Sequence, residues 1–110
     1  MYKSRYEIVE FETSRGDRII NSFLERKSRK IKAKAYRLID MLQYEINLGM
    51  PYSRKIDKDL FELRLTGKPA IRVIYTHKDK QIFLLHIFEK KQWKIPKKEL
   101  RIALKRLELI

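Results

Sequence analysis

Three strand-like runs dominate the last third of the chain: Leu60-Phe61-Glu62-Leu63-Arg64-Leu65, Ile71-Arg72-Val73-Ile74-Tyr75 and Ile82 through Lys91. Thr66-Gly67-Lys68-Pro69 and His77-Lys78-Asp79-Lys80 lie between them and carry turn chemistry, so residues 59–88 are expected to form an antiparallel meander of three strands. Residues 4–11 alternate as well, with Tyr6, Ile8 and Glu10 on one side and Glu7, Val9 and Phe11 on the other, which predicts a first strand. Gly16 and Asp17 then offer a turn and an N-cap, and Ile19, Ile20, Phe23 and Leu24 give the stripe of a short helix. Ser28 can cap a longer helix in which Ile31, Ala35, Leu38, Leu42 and Ile46 recur at helical spacing, with Gly49 as its C′ residue and Pro51 as its stop. Pro51 to Lys58 reads as a basic, polar loop. Pro96 suits the first position of a last helix with Leu100, Ala103, Leu104 and Leu107 on one face.

The 110 residues suit a single domain over 1–110, large enough for one core without disulfides. Charge changes that picture most: 27 Lys and Arg against 14 Asp and Glu leave a formal +13, which points to nucleic acid or an acidic protein as partner. Nine basic residues fall between positions 15 and 37, either a solvated helix face or a binding surface. No apolar stretch approaches the roughly 20 residues of a spanning helix, and the first residues lack a signal peptide's apolar segment, so a cytoplasmic location is expected. The absence of cysteine removes thiol catalysis and Cys-based zinc sites.

The strands spend their sparse polar positions on cations. Alternation puts Glu62 and Arg64 opposite Phe61, Leu63 and Leu65, and puts Arg72 and Ile74 opposite Ile71, Val73 and Tyr75, so Arg64 and Arg72 can share a face. Two guanidinium forks side by side suit phosphate oxygens, although Arg64 could instead pair with Glu62. His86 interrupts an apolar run and shares its side with Leu84, Phe88 and Lys90; it is either a satisfied core histidine or a proton-transfer group. His77 is expected in an exposed turn, and two histidines without a carboxylate cluster make no recognisable metal site. Phe88 and Trp93 interleave with Lys90, Lys91 and Lys94, which suits stacking on unpaired RNA bases. Burial under the last helix is the alternative, and a partner contact is a further one for Trp93.

The ordered set Leu60-Phe61-Glu62-Leu63-Arg64, Ile71-Arg72-Val73-Ile74-Tyr75, Leu84-Leu85-His86-Ile87-Phe88-Glu89-Lys90-Lys91 and Lys94-Ile95-Pro96-Lys97-Lys98-Glu99-Leu100 resembles the RelE/ParE toxin superfamily. It is most similar to the HigB branch, the phage Gp49-like proteins of type II toxin-antitoxin systems. That resemblance implies an α+β fold: a RelE-like twisted antiparallel sheet of about four strands, two helices from the N-terminal half on one side, and a C-terminal helix. It also implies an endoribonuclease that cuts mRNA on the ribosome, in the 30S A site, without metal or other cofactor, and a HigA-like helix-turn-helix antitoxin. By position, Arg64, Arg72, His86 and Lys90 would be catalytic, and Lys55, Lys58, Phe88, Lys91 and Trp93 would bind RNA. Members often carry Thr where Ile95 stands and a small polar residue where Gln92 stands, so the last helix should lack a side-chain cap.

For RNA the expected chemistry is attack of the 2′-hydroxyl on the adjacent phosphate, with Arg64 and Arg72 neutralising the phosphorane, His86 as general acid or base, and Lys55 or Lys90 assisting. A non-catalytic alternative is a ParE-like inhibitor of DNA gyrase or a basic RNA-binding module, whose arginines only position phosphates.

Overall fold

The computed structural model describes residues 3–110. In chain order the elements are β1 (Glu7–Glu10), α1 (Ile19–Leu24), α2 (Arg29–Met41), β2 (Ser53–Asp57), β3 (Leu60–Leu65), β4 (Ile71–Lys78), β5 (Gln81–Glu89) and α3 (Lys97–Leu107). They form a mixed α+β fold around one five-stranded sheet of order β1-β5-β4-β3-β2. The meander β3-β4-β5 is antiparallel, β2 pairs antiparallel with β3, and β1 joins β5 in parallel.

Each face of the sheet has its own core. Leu63 and Leu65 of β3, Val73 and Tyr75 of β4 and Ile82 and Leu84 of β5 pack against Ile20 and Leu24 of α1 and Ala35, Leu38 and Ile39 of α2. On the reverse face Leu60, Ile74, Leu85 and Phe88 pack under Ala103 of α3, with Leu100 and Leu107 beside it. The two early helices thus cover one side and α3 part of the other.

Several boundaries differ from the pattern's expectation. The basic loop after Pro51 is a strand: β2 is an edge strand with only Ser53 buried, and an edge that faces water needs no apolar alternation. This raises the strand count from about four to five. Ser28 caps α2 as its position suggests, its Oγ accepting from Ile31 N at 3.3 Å. The helix stops at Met41 rather than running through Ile46, because the Gln43 carbonyl accepts from Arg5 N at 2.8 Å and Tyr6 N at 2.9 Å, which ties this end to the chain's start. Gly49 is therefore no helix C′ residue; its φ of +80° serves the turn into β2, where its carbonyl accepts from Tyr52 N and Ser53 N.

Asp17 does not cap α1. It closes a turn with Thr13, while Glu10 reaches over from β1 to accept from Asn21 N at 2.7 Å. His77 lies in β4 rather than in the turn, half-buried with its ring edge-on to Tyr6 at 5.2 Å. The turn itself is Asp79-Lys80, with Asp79 at φ +55°. As Ile95 implied, no side chain caps α3, which begins after Pro96.

Candidate nucleic-acid cleft

Arg64 and Arg72 are cross-strand partners in the β3-β4 register, so the shared face that alternation requires becomes direct juxtaposition. Two like charges placed opposite each other destabilise a sheet. Glu62 answers part of that cost. Its carboxylate is fully buried on the same face and meets three guanidinium groups: Arg54 Nε at 2.8 Å, Arg72 Nε at 3.2 Å and Arg64 Nε at 3.8 Å. Arg54 arrives from β2 because the register pairs it with Glu62.

The charges do not balance. Lys90, just beyond β5, interacts with the same three arginines, so four cations surround one carboxylate. Nor are the hydrogen bonds complete: Glu62 Oε1, Arg64 Nε and Arg72 Nε are buried with no hydrogen-bond partner among the described residues. Arg72 and Glu62 are thus close enough to pair by charge but not aligned to share a proton. Arg72 instead donates through Nη1 to the carbonyls of Ile71 at 3.1 Å and Leu65 at 3.3 Å, which pins its guanidinium. Buried donors left over beside an excess of positive charge are what an anion would satisfy.

Arg54, Arg64, Arg72 and Lys90 line a cleft of about 470 Å³ with Lys91 and Trp93. It exists because α3 covers only part of the second sheet face and leaves the β2-β3 end open. Burial lowers the Lys90 ammonium from its ordinary value; Glu62 opposes that fall, while Arg72, Arg54 and Arg64 add to it. Burial likewise lowers the Arg72 guanidinium, with Glu62 opposing and Arg64 and Arg54 adding.

The structure brings Arg64, Arg72, Lys90, Lys91 and Trp93 together. Trp93 is 92% exposed, so its indole is not packed beneath α3. Lys55 lies next door in a second cavity of about 420 Å³, which shares Arg54 and Trp93 with the cleft. Lys58 sits in the β2-β3 hairpin turn, at the far end of β3 from Arg64.

His86 and Phe88 do not line the cleft, although Phe88 is the cross-strand partner of Arg72. Phe88 is 6% exposed and belongs to the core under α3, so its ring has no open face for a base. It stacks at 5.5 Å on His86, whose side chain is only 12% exposed. His86 Nε2 lies 3.2 Å from Glu99 Oε1, and Arg106 Nη1 lies 3.3 Å from His86 Nδ1. A guanidinium only donates, so these neighbours select the neutral tautomer with the proton on Nε2. Burial, with Arg106 adding to it, lowers the imidazole from its ordinary value despite Glu99.

A bulge explains the company His86 keeps. Tyr75 pairs with Leu84 and Ile74 with His86, so Leu85 is an extra residue and the alternation slips. Leu84 therefore faces the α1-α2 core, not the side of His86, while Leu85 joins the core under α3. The carbonyl of Leu85 accepts from Arg106 Nη1 at 2.8 Å.

Sequence pattern alone missed Arg54 as a member of the cluster. Treating 53–57 as an edge strand would have found it, since Arg54 then falls on the face of Glu62 and Arg64. Among the described residues no group of three or more His, Asp or Glu side chains is placed to hold a metal ion, and no helix is long and apolar enough to cross a membrane.

The sheet and its three helices are consistent with a RelE-like α+β fold. The family described as phage derived protein Gp49-like (DUF891) matches residues 22–108, which include all of the cleft. The chain belongs to that family, a RelE/HigB-like toxin family, and a toxin of this kind implies an antitoxin partner. No curated protein matches the chain significantly.

Proposed function

We propose that this protein is the toxin of a type II toxin-antitoxin module and that the cleft cleaves mRNA. The observation that carries the reading is the in-register pair Arg64 and Arg72, gathered around a buried carboxylate and lining one cleft with Arg54 and Lys90. In the proposed reaction the 2′-hydroxyl oxygen attacks the adjacent phosphorus and gives its proton to the neutral amine of Lys90. Arg64 and Arg72 stabilise the charge that gathers on the non-bridging oxygens. The bond to the 5′-oxygen then breaks, and the Lys90 ammonium returns the proton to that leaving oxygen. The products are a 2′,3′-cyclic phosphate and a 5′-hydroxyl.

Lys90 suits this part because its lowered pKa enlarges the neutral fraction near neutral pH. Its three arginine neighbours cannot lose a proton. His86, engaged at both ring nitrogens beneath α3, is in this reading a positioning residue that fixes the bulge and the helix. Trp93, Lys91 and Lys55 supply a stacking surface and phosphate contacts along the strand. The family resemblance extends the proposal to the ribosomal 30S A site as the place of cleavage, a HigA-like helix-turn-helix antitoxin as the inhibitor, and the cytoplasm as the compartment.

The test is induction of the wild type and of Arg72→Ala in a bacterium lacking the antitoxin, with 5′-end mapping of messages. Cuts with 5′-hydroxyl ends should accompany the wild type and fall by about a hundredfold in the variant. Growth arrest with intact messages would instead favour a gyrase-directed toxin, and 5′-phosphate ends would exclude 2′-hydroxyl attack.

A further inference from the structure

Arg64 faces a second cavity as well as the cleft. On its α2 side lies a pocket of about 400 Å³ whose apolar surfaces come from Met41, Pro51 and Tyr52 and whose cations are Lys34, Arg37 and Arg64. Tyr52 is 49% exposed and Met41 is 42% exposed, so large apolar groups stand in water beside these three cations. The two cavities share Arg64.

The pocket is built, not loose. Tyr52 N donates to the Gly49 carbonyl at 2.9 Å, and the Tyr52 carbonyl accepts from Arg64 N at 2.8 Å, so ring and guanidinium spring from directly bonded backbone. Arg64 Nη1 lies 3.6 Å from the Met50 sulfur, which draws one edge of the guanidinium toward this side. Lys34 Nζ donates to the Thr66 carbonyl at 2.6 Å, and Arg37 has no partner among the described residues.

We infer that this pocket is a nucleobase subsite for the nucleotide next to the scissile phosphate. This rests on the reading of the cleft as the site of RNA cleavage. A phosphate seated on Arg64 and Arg72 would lie beside the one residue that lines both cavities, which puts the pocket next in line for a neighbouring nucleoside. An aromatic ring beside cations is the chemistry that holds an unpaired base and its phosphate. Continuity through Arg64 and the positive surround favour a further part of the same anionic strand over a protein segment. Trp93 at one end and Tyr52 at the other then bracket the cation cluster and define a track for a short single strand.

Binding of an uncuttable 2′-fluoro tetranucleotide, read by fluorescence anisotropy at low salt, tests this on correctly folded variants. Tyr52→Ala should weaken binding on the order of tenfold, and Tyr52→Phe, which keeps the ring, should stay within about twofold. In a series with one abasic position at a time, a single position should abolish the difference between wild type and Tyr52→Ala. If Arg72→Ala weakens binding while Tyr52→Ala does not, or if Tyr52→Phe fails as badly as alanine, the subsite is wrong and the cleft reading survives. If Arg72→Ala has no effect, or the wild type does not bind, the cleft reading falls and the subsite with it.

Discussion

Glu62 is the residue on which the cleft's geometry turns. It is a fully buried carboxylate surrounded by more positive charge than it can neutralise, so its removal leaves Arg54, Arg64 and Arg72 facing one another. Glu62→Gln preserves the shape and deletes the charge. We expect it to lower unfolding free energy by about 3 kcal/mol at most, less where the half-exposed Arg54 swings into water. If the cluster is an anion site, inorganic phosphate at constant ionic strength should raise the thermal midpoint of Glu62→Gln more than that of the wild type. Equal stability of the two proteins, together with indifference to phosphate, would show that the cations do not depend on this carboxylate. That Arg64 and Arg72 can share a face was legible from strand alternation, whose period is two, while their direct pairing depends on the β3-β4 register, which alternation alone does not give. The fates of Phe88 and His86 were not legible, since they depend on how far α3 extends over the sheet.

At the scale of elements, α3 and the β5 bulge form one unit through His86, Glu99 and Arg106. The imidazole's folded pKa is lowered, so the unfolded chain binds its proton more readily than the native protein does. The stability it contributes is therefore complete above its ordinary value of about 6.5 and is lost as pH falls through that value toward the lowered one. Protonation would add a proton at Nδ1 against the Arg106 guanidinium. The wild type should accordingly melt at a lower temperature at pH 5.5 than at pH 7.5, and His86→Gln should flatten that difference whatever its own midpoint. An unchanged pH slope in His86→Gln would place the sensitive group elsewhere. Pattern recovered the meander and three helices because their apolar spacing is regular. It missed β2, whose stability comes from backbone pairing with β3 rather than from burial, and it overran α2, whose end is set by the distant amides of Arg5 and Tyr6. It also missed the bulge, since an apolar run such as Leu84-Leu85 carries no mark of which residue is extra.

For the whole molecule the question is whether a formal +13 acts as a diffuse attractor or through the cleft. The molecule measures 36 × 31 × 28 Å, several times the screening length of about 8 Å at physiological salt, so charges on its remote edges contribute little to a short ligand. Arg15, in the turn after β1, and Lys80, in the β4-β5 turn, are both exposed and lie away from the cleft, one at the opposite edge of the sheet and the other at the far end of β4 from Arg72. Each phosphate contact removed should reduce the slope of log affinity against log salt by about 0.7 for a single strand. Arg72→Ala should therefore flatten that slope for a tetranucleotide by roughly this amount. The pair Arg15→Ala and Lys80→Ala, which removes twice the charge, should leave the slope unchanged. Should the remote pair flatten the slope as much as Arg72→Ala does, attraction would be spread over the surface and the cleft would have no special claim on RNA. The contrast separates the two because all three substitutions delete one positive charge each and differ only in where that charge sits.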